Sequence, residues 1–187
     1  MLKENIKSRD DLLRAVRSGF RPRYFFFWGH KPLPNGAIGK SCFSQWWLAR
    51  FTVDDVAYPT AEHYMMAEKA RLFGDENARD KILKAGSPKA AKQIGRQVKN
   101  FKDEVWNRER FQIVVEGNLA KFGQNRELGN YLIGTGDKVI VEASPIDRIW
   151  GIGLPADDER ASNPEQWRGL NLLGFALMEV RQKLLEL

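Results

Sequence analysis

Glu62 and Lys69 are the residues whose types and spacing first suggest chemistry. At 100° per residue, seven residues bring a helix back to within about 20° of its starting direction. Glu62, Met65, Met66, Lys69 and Phe73 therefore share one stripe if this stretch is helical. A carboxylate and an amine on an otherwise apolar stripe are costly to bury unless they are paired. Two readings follow: a polar pocket inside the core, suited to a reaction centre, or a helix whose Glu62 and Lys69 reach solvent or make a structural contact. His63 points to a neighbouring face and reads as a satisfied core histidine.

A second constellation is Val141 to Gly153. A β-branched strand enters a turn that presents Asp147 and Trp150, and glycines there permit close backbone approach to a ligand. The bland alternatives are an Asx turn for Asp147 and a core anchor for Trp150. A third set is aromatic: Phe26, Phe27 and Trp28, then Phe43, Ser44, Gln45, Trp46 and Trp47. Such rings beside polar groups suit stacking on a planar base, although core packing explains most of them. Before the last helix, Asn171 is placed to meet a sugar hydroxyl or phosphate. The sequence holds no GxxxxGK[ST], HExxH or GxSxG, so the P-loop, zincin and α/β-hydrolase mechanisms lack their parts.

These residues need elements to position them. Ser8 to Arg17 reads as a short amphipathic helix with Ser8 and Asp10 as candidate caps. Tyr24 to Trp28 suits a buried strand, and Gly29 to Gly39 an exposed loop. Ser41 to Ala57 suits a hairpin turning at Asp54 and Asp55. Thr60 caps a helix through Phe73 that Gly74 stops. Further helices are expected over Asn77 to Ala85, from Ser87 and Pro88 to about Val98, over Lys102 to Phe122 closed by Gly123, and over Arg126 to Ile133. Val139 to Ala143 is strand-like, Ser144 to Pro155 a loop, and Asn163 to Leu185 irregular and then helical. Helices around a few non-alternating strands predict an α+β fold, mainly helical, packed around a small sheet in a single domain.

The composition bounds the rest. A chain of 187 residues with 43% hydrophobic and 29% charged residues fits one globular domain. A net charge of +6 favours anions such as phosphates. The lone Cys42 excludes an internal disulfide and argues against structural zinc. No apolar run of signal-peptide length occurs, and none approaches the roughly 20 residues that span a bilayer. A cytoplasmic location without membrane insertion is expected.

In order along the chain, Phe43-Ser44-Gln45-Trp46, Tyr58 to Ala70, Ala91 to Arg96, Lys121 to Asn125, Glu142 to Gly153 and Gly169 to Gly174 together resemble the NADAR family, also called YbiA-like, whose name denotes NAD and ADP-ribose association. The resemblance covers about Tyr24 to Arg181, which leaves residues 1–23 as an N-terminal helical extension. It implies a YbiA-like fold and an N-glycosidase that cuts the C1′ to nitrogen bond of phosphorylated ribosyl compounds. Members similar to this chain remove phosphoribosyl from early riboflavin intermediates, and others release ADP-ribose from modified guanine in nucleic acid. The resemblance places Glu62, Lys69 and Asp147 in catalysis. Expected substrate contacts are Phe27, Trp28, Ser44, Trp46, Tyr58, Arg96, Trp150 and Asn171, with a base stacked on Phe27, Trp46 or Trp150 and a phosphate held by Arg96 or a nearby basic group. Glu62 and Asp147 would stabilise positive charge on the sugar or activate water. Lys69 either forms a Schiff base with the opened sugar or stays charged and binds phosphate, and the Schiff base is preferred. No metal or cofactor is implied. Two alternatives stand beside this reading: a non-catalytic module for ADP-ribose or NAD derivatives, and a nucleic-acid binder using the positive charge.

Overall fold

The computed structural model describes residues 6–186, so the first five residues of the expected N-terminal helical extension lie outside the described residues. In chain order the elements are α1 (Arg9–Arg17), β1 (Tyr24–Phe27), β2 (Phe51–Val53), β3 (Val56–Tyr58), α2 (Ala61–Leu72), α3 (Glu76–Leu83), α4 (Pro88–Gly95), α5 (Asp103–Gln124), α6 (Arg126–Ile133), β4 (Val139–Glu142) and α7 (Leu172–Glu186). The fold is α+β and mainly helical, its strands divided between two two-stranded sheets. The chain forms two compact units, one of residues up to Phe43 and from Glu127 onward, the other of Ser44–Arg126.

In the first unit, β1 and β4 run parallel, with Tyr24 opposite Val139 and Phe27 opposite Glu142. Val139, Ile140 and Val141 are all fully buried, as a continuous apolar run requires when both faces of a strand are covered. Helix α7 packs on β4 and buries Leu173, Phe175, Ala176 and Leu177. That approach needs Gly174, where a β-carbon would lie 2.1 Å from the Ile140 carbonyl oxygen. Helix α1 starts at Ser8, whose Oγ accepts from the Asp11 N–H, so Ser8 and not Asp10 is the cap. It buries Leu12 and Ala15, and Arg9 ties it to the carbonyls of Pro164 and Glu165.

In the second unit, β2 and β3 form the expected hairpin. Asp54 and Asp55 both have positive φ, at 48° and 62°, the backbone that a two-residue turn between right-twisted strands demands. Thr60 caps α2 by accepting from the His63 N–H. Residues Ala61 to Ala67 are all buried, so α2 is a central helix covered by α3, α4 and α5 instead of a one-sided amphipathic one. Small residues let its neighbours close in: a β-carbon at Gly95 or Gly117 would collide with Met66 or Tyr64. Helix α4 stops at Gly95, short of Val98. Helix α5 passes through Gly123 and ends at Gln124, because Asn125 turns back to cap it through its Nδ2 bond to the Lys121 carbonyl.

Candidate active site

Glu62 lies in the first turn of α2 and is 2% exposed. Its backbone N–H donates to the Gln45 carbonyl at 2.9 Å, which ties the start of the helix to the Ser44–Trp47 segment. His63 beside it is structural. Its Nε2 meets the Ala85 carbonyl at 2.9 Å, and a carbonyl only accepts, so Nε2 carries the proton and Nδ1 accepts from the Thr60 hydroxyl at 2.7 Å. Burial holds its pKa below the usual histidine value, in keeping with that neutral ring.

Lys69 stands two turns further along α2. Its Nζ donates to the Gly95 carbonyl at 2.9 Å and sits 4.3 Å from the centre of the Phe101 ring and 5.5 Å from that of Trp106. Burial depresses its pKa, an effect the Asp103 carboxylate opposes and the exposed Arg96 guanidinium reinforces. Desolvation by burial is what can make a lysine a nucleophile near neutral pH, whereas the two ring faces and the Gly95 carbonyl favour its ammonium form.

Ser44 is half-buried; its Oγ accepts from the Trp46 N–H and its carbonyl from Lys121 Nζ. Trp46 is half-buried, with Lys92 Nζ 5.9 Å from its ring centre. Tyr58 is different. It is 2% exposed, stacked on Phe51 and set edge-on to Tyr64. Burial raises its pKa. As a substrate contact Tyr58 is replaced by Tyr58 as a core ring, because its faces are already covered.

In the first unit, Asp147 occupies the loop after β4. Its Oδ1 accepts from the N–H groups of Ile149 and Trp150, both at 2.8 Å, and its own N–H donates to Ser144 Oγ. This is the Asx turn foreseen as the bland alternative. Oδ2 takes part in none of these bonds, so the turn holds the carboxylate rigid with one oxygen left over. The loop is cinched to the segment before α7 by bonds from Arg168 N–H to the Ile152 carbonyl and from Asn171 N–H to the Gly151 carbonyl. Gly169 is required there, since a β-carbon would lie 2.2 Å from the Gly151 carbonyl oxygen. Trp28, 55% exposed, follows β1 at the end of the parallel pair from which the Asp147 loop also departs. Trp150 is half-buried and fixed through its backbone to Asp147.

Two further expectations are corrected. Phe27 is 1% exposed with Phe43 edge-on to it, so its ring belongs to the core and presents no open face to a base. Asn171 is fully buried at φ 55°; its Oδ1 accepts from the Glu142 N–H and its Nδ2 donates to the Ile140 carbonyl. Its amide thus secures β4 and the start of α7 and has no hydroxyl or phosphate to meet. Asn171→Ala is expected to lower stability by about 2 kcal/mol or more, because it strips partners from buried backbone groups. Urea unfolding checks this, and an unchanged midpoint would refute the latch.

The second unit brings Ser44, Trp46 and Glu62 together around Gln45, and Lys69 together with Arg96. The first unit brings Trp28, Asp147 and Trp150 to one strand end. Asn118 and Lys121, both fully buried on α5, and Phe101 and Trp106, over Lys69, were not foreseen as site residues. The signal for the first two was present: polar residues three apart beside Val114, Val115 and Phe122, the same pattern that singled out Glu62 and Lys69.

A family model described as the NADAR domain matches residues 26–185 and so spans both units. An N-glycosidase of Acanthamoeba polyphaga mimivirus is 42% identical over 166 residues, covering 86% of this chain and 96% of that protein. N-glycosidase YbiA of Escherichia coli is 33% identical over 132 residues, covering 71% of this chain and 74% of its own length. The solved NMR structure of the E. coli protein YbiA superposes with a TM-score of 0.67 at 27% identity, covering 89% of this chain and 88% of that one.

Proposed function

The chain belongs to the NADAR domain family and is an N-glycosidase like its curated relatives; on that premise we propose that it hydrolyses phosphorylated ribosyl N-glycosides. The substrates that fit are phosphoribosylamino-pyrimidines of the kind formed early in riboflavin synthesis, and ADP-ribosylated guanine. The observation that supports this most is the presence on one helix, α2, of a buried carboxylate, Glu62, and a half-buried amine, Lys69, whose pKa is depressed.

In the proposed reaction the C1′ to nitrogen bond breaks, and its electron pair leaves with the base nitrogen, which takes up a proton. Positive charge grows on the sugar, and Glu62 offsets it; a carboxylate held in a water-poor setting does this better than one in bulk solvent. Neutral Lys69 adds to C1′ through its nitrogen lone pair, one of its protons passes to the ring oxygen, which leaves C1′ as a hydroxyl, and a protonated iminium results. Water then adds to that carbon and restores the amine, so the net change is addition of one water across the glycosidic bond. Asp147 is carried into the proposal by the family resemblance as a catalytic carboxylate, with Oδ2 as the oxygen its Asx turn leaves over. Arg96, exposed beside Lys69, is the proposed phosphate contact. Trp46 and Trp150 remain the candidate stacking surfaces for the base. The non-catalytic alternative has no specific observation in its favour.

Incubating the protein with a phosphoribosylamino-pyrimidine and, separately, with an ADP-ribosylated guanine oligonucleotide, and following the free base by chromatography, tests the reading. Release from one substrate assigns the class. Release from neither removes both proposed substrates.

A further inference from the structure

The Ser44–Trp47 segment is held by side chains that none of the proposed chemistry uses. Lys121 Nζ donates to the Ser44 carbonyl at 2.9 Å. One turn earlier on α5, Asn118 Nδ2 donates to Gln45 Oε1 at 2.7 Å and to the Val114 carbonyl at 2.8 Å. The Gln45 carbonyl in turn receives the Glu62 N–H. Gln45 is therefore a hydrogen-bonded link between α5 and the first turn of α2, beside their direct packing.

This link is incomplete as a purely structural device. Gln45 Nε2 and Asn118 Oδ1 are both buried from solvent and, among the described residues, make no hydrogen bond. Gln45 is 6% exposed and Asn118 fully buried. A buried donor and a buried acceptor without partners weaken a fold, whereas an apolar pair of the same shape would fill the place without that penalty. Stability alone does not account for two amides here.

We propose that Gln45 is a positioning residue for Glu62, held in place by Asn118 and Lys121, and that its side-chain N–H is kept for the catalytic cycle at the expense of stability. Its main chain fixes where α2 begins, and its side-chain amide, held through Oε1 by Asn118 of α5, keeps a buried donor for the moment when charge moves during bond cleavage. This inference rests on the role proposed above for Glu62.

The test is the full chain carrying Gln45→Met with Asn118→Leu, an apolar pair of similar shape, compared with Gln45→Glu and with Glu62→Gln. The readouts are melting temperature and, on a phosphoribosylamino-pyrimidine or ADP-ribosylated guanine oligonucleotide that the parent protein cleaves, kcat and KM. The double variant is expected to melt at the same temperature or higher, with kcat reduced about tenfold or more and KM changed less than about threefold. Gln45→Glu, which keeps the acceptor for Asn118 but loses the donor, should show the same loss of kcat. Unchanged kcat in the double variant, or a fall in melting temperature that parallels the fall in kcat, overturns the inference. If Glu62→Gln is inactive while the double variant is active, only this inference fails. If Glu62→Gln keeps full activity, the role of Glu62 and this inference fail together.

Discussion

Glu62→Gln should abolish most of the turnover while leaving the fold in place. Glutamine keeps the volume of the buried side chain, and the bond from the residue 62 N–H to the Gln45 carbonyl is main chain, so the first turn of α2 keeps its anchor. What is lost is the charge. A positioned carboxylate that stabilises a developing cation or activates water contributes about a hundredfold to ten-thousandfold in rate, and a loss of that order in kcat is expected. Because the effect falls on the reacting carbon and not on the distant phosphate, KM should move little. Steady-state kinetics with a circular dichroism control for folding measures both. Turnover near that of the parent would remove Glu62 from the mechanism and, with it, the reason for burying a carboxylate at this position.

Lys69 is expected to be trapped as a secondary amine when borohydride is added during turnover, with the sugar attached at Nζ and the adduct located by peptide mass spectrometry. Reduction intercepts the iminium, so only the covalent route gives the product. Lys69→Met, which keeps an unbranched chain under the Phe101 ring but has no amine, should lose about a hundredfold or more of kcat. Lys69→Arg separates the two roles: a guanidinium, always charged, can hold a phosphate but cannot be the nucleophile. The covalent role predicts that arginine restores nothing. Its pH dependence also has a fixed sign. The reactive form is the neutral amine, so activity should fall as pH drops through the pKa of Lys69, and that limb should lie below the usual lysine range because burial depresses the value. Repeated failure to trap an adduct, together with an active Lys69→Arg protein, would assign Lys69 to phosphate binding.

Much of the scaffold for this chemistry was legible in local signals. Thr60 and Gly74 bracket α2 as expected, Ser87 with Pro88 starts α4, and the Asp54-Asp55 pair marks the hairpin. Each is a short-range rule, a cap, a first-turn proline or a turn needing positive φ, and such rules survive whatever packs around them. Errors came where distant groups decide. Gly123 read as a helix stop, yet Asn125 supplies the cap one residue past the end of α5, its amide also held by the Arg50 carbonyl 75 positions earlier. Asn171 read as a ligand contact because an asparagine before a helix looks available. Its amide instead crosses to Ile140 and Glu142, residues about thirty positions earlier in the chain.

The site divides in the same way. Residue type and a seven-residue interval were enough to set Glu62 and Lys69 apart, since an ionisable group on an apolar stripe is anomalous wherever the helix ends up. The Val141 to Gly153 stretch likewise announced a strand feeding a rigid loop. Sequence alone also determined the helical α+β character and the family. Tertiary packing decided which polar groups are enclosed and what they meet: the Gly95 carbonyl and Phe101 ring at Lys69, the Gln45 carbonyl at Glu62, the core rings around Tyr58 and Phe27. The reason is physical. Periodicity fixes the direction in which a side chain leaves its own helix, but desolvation and hydrogen bonding depend on atoms brought from elsewhere in the chain, and those arrive only when it folds.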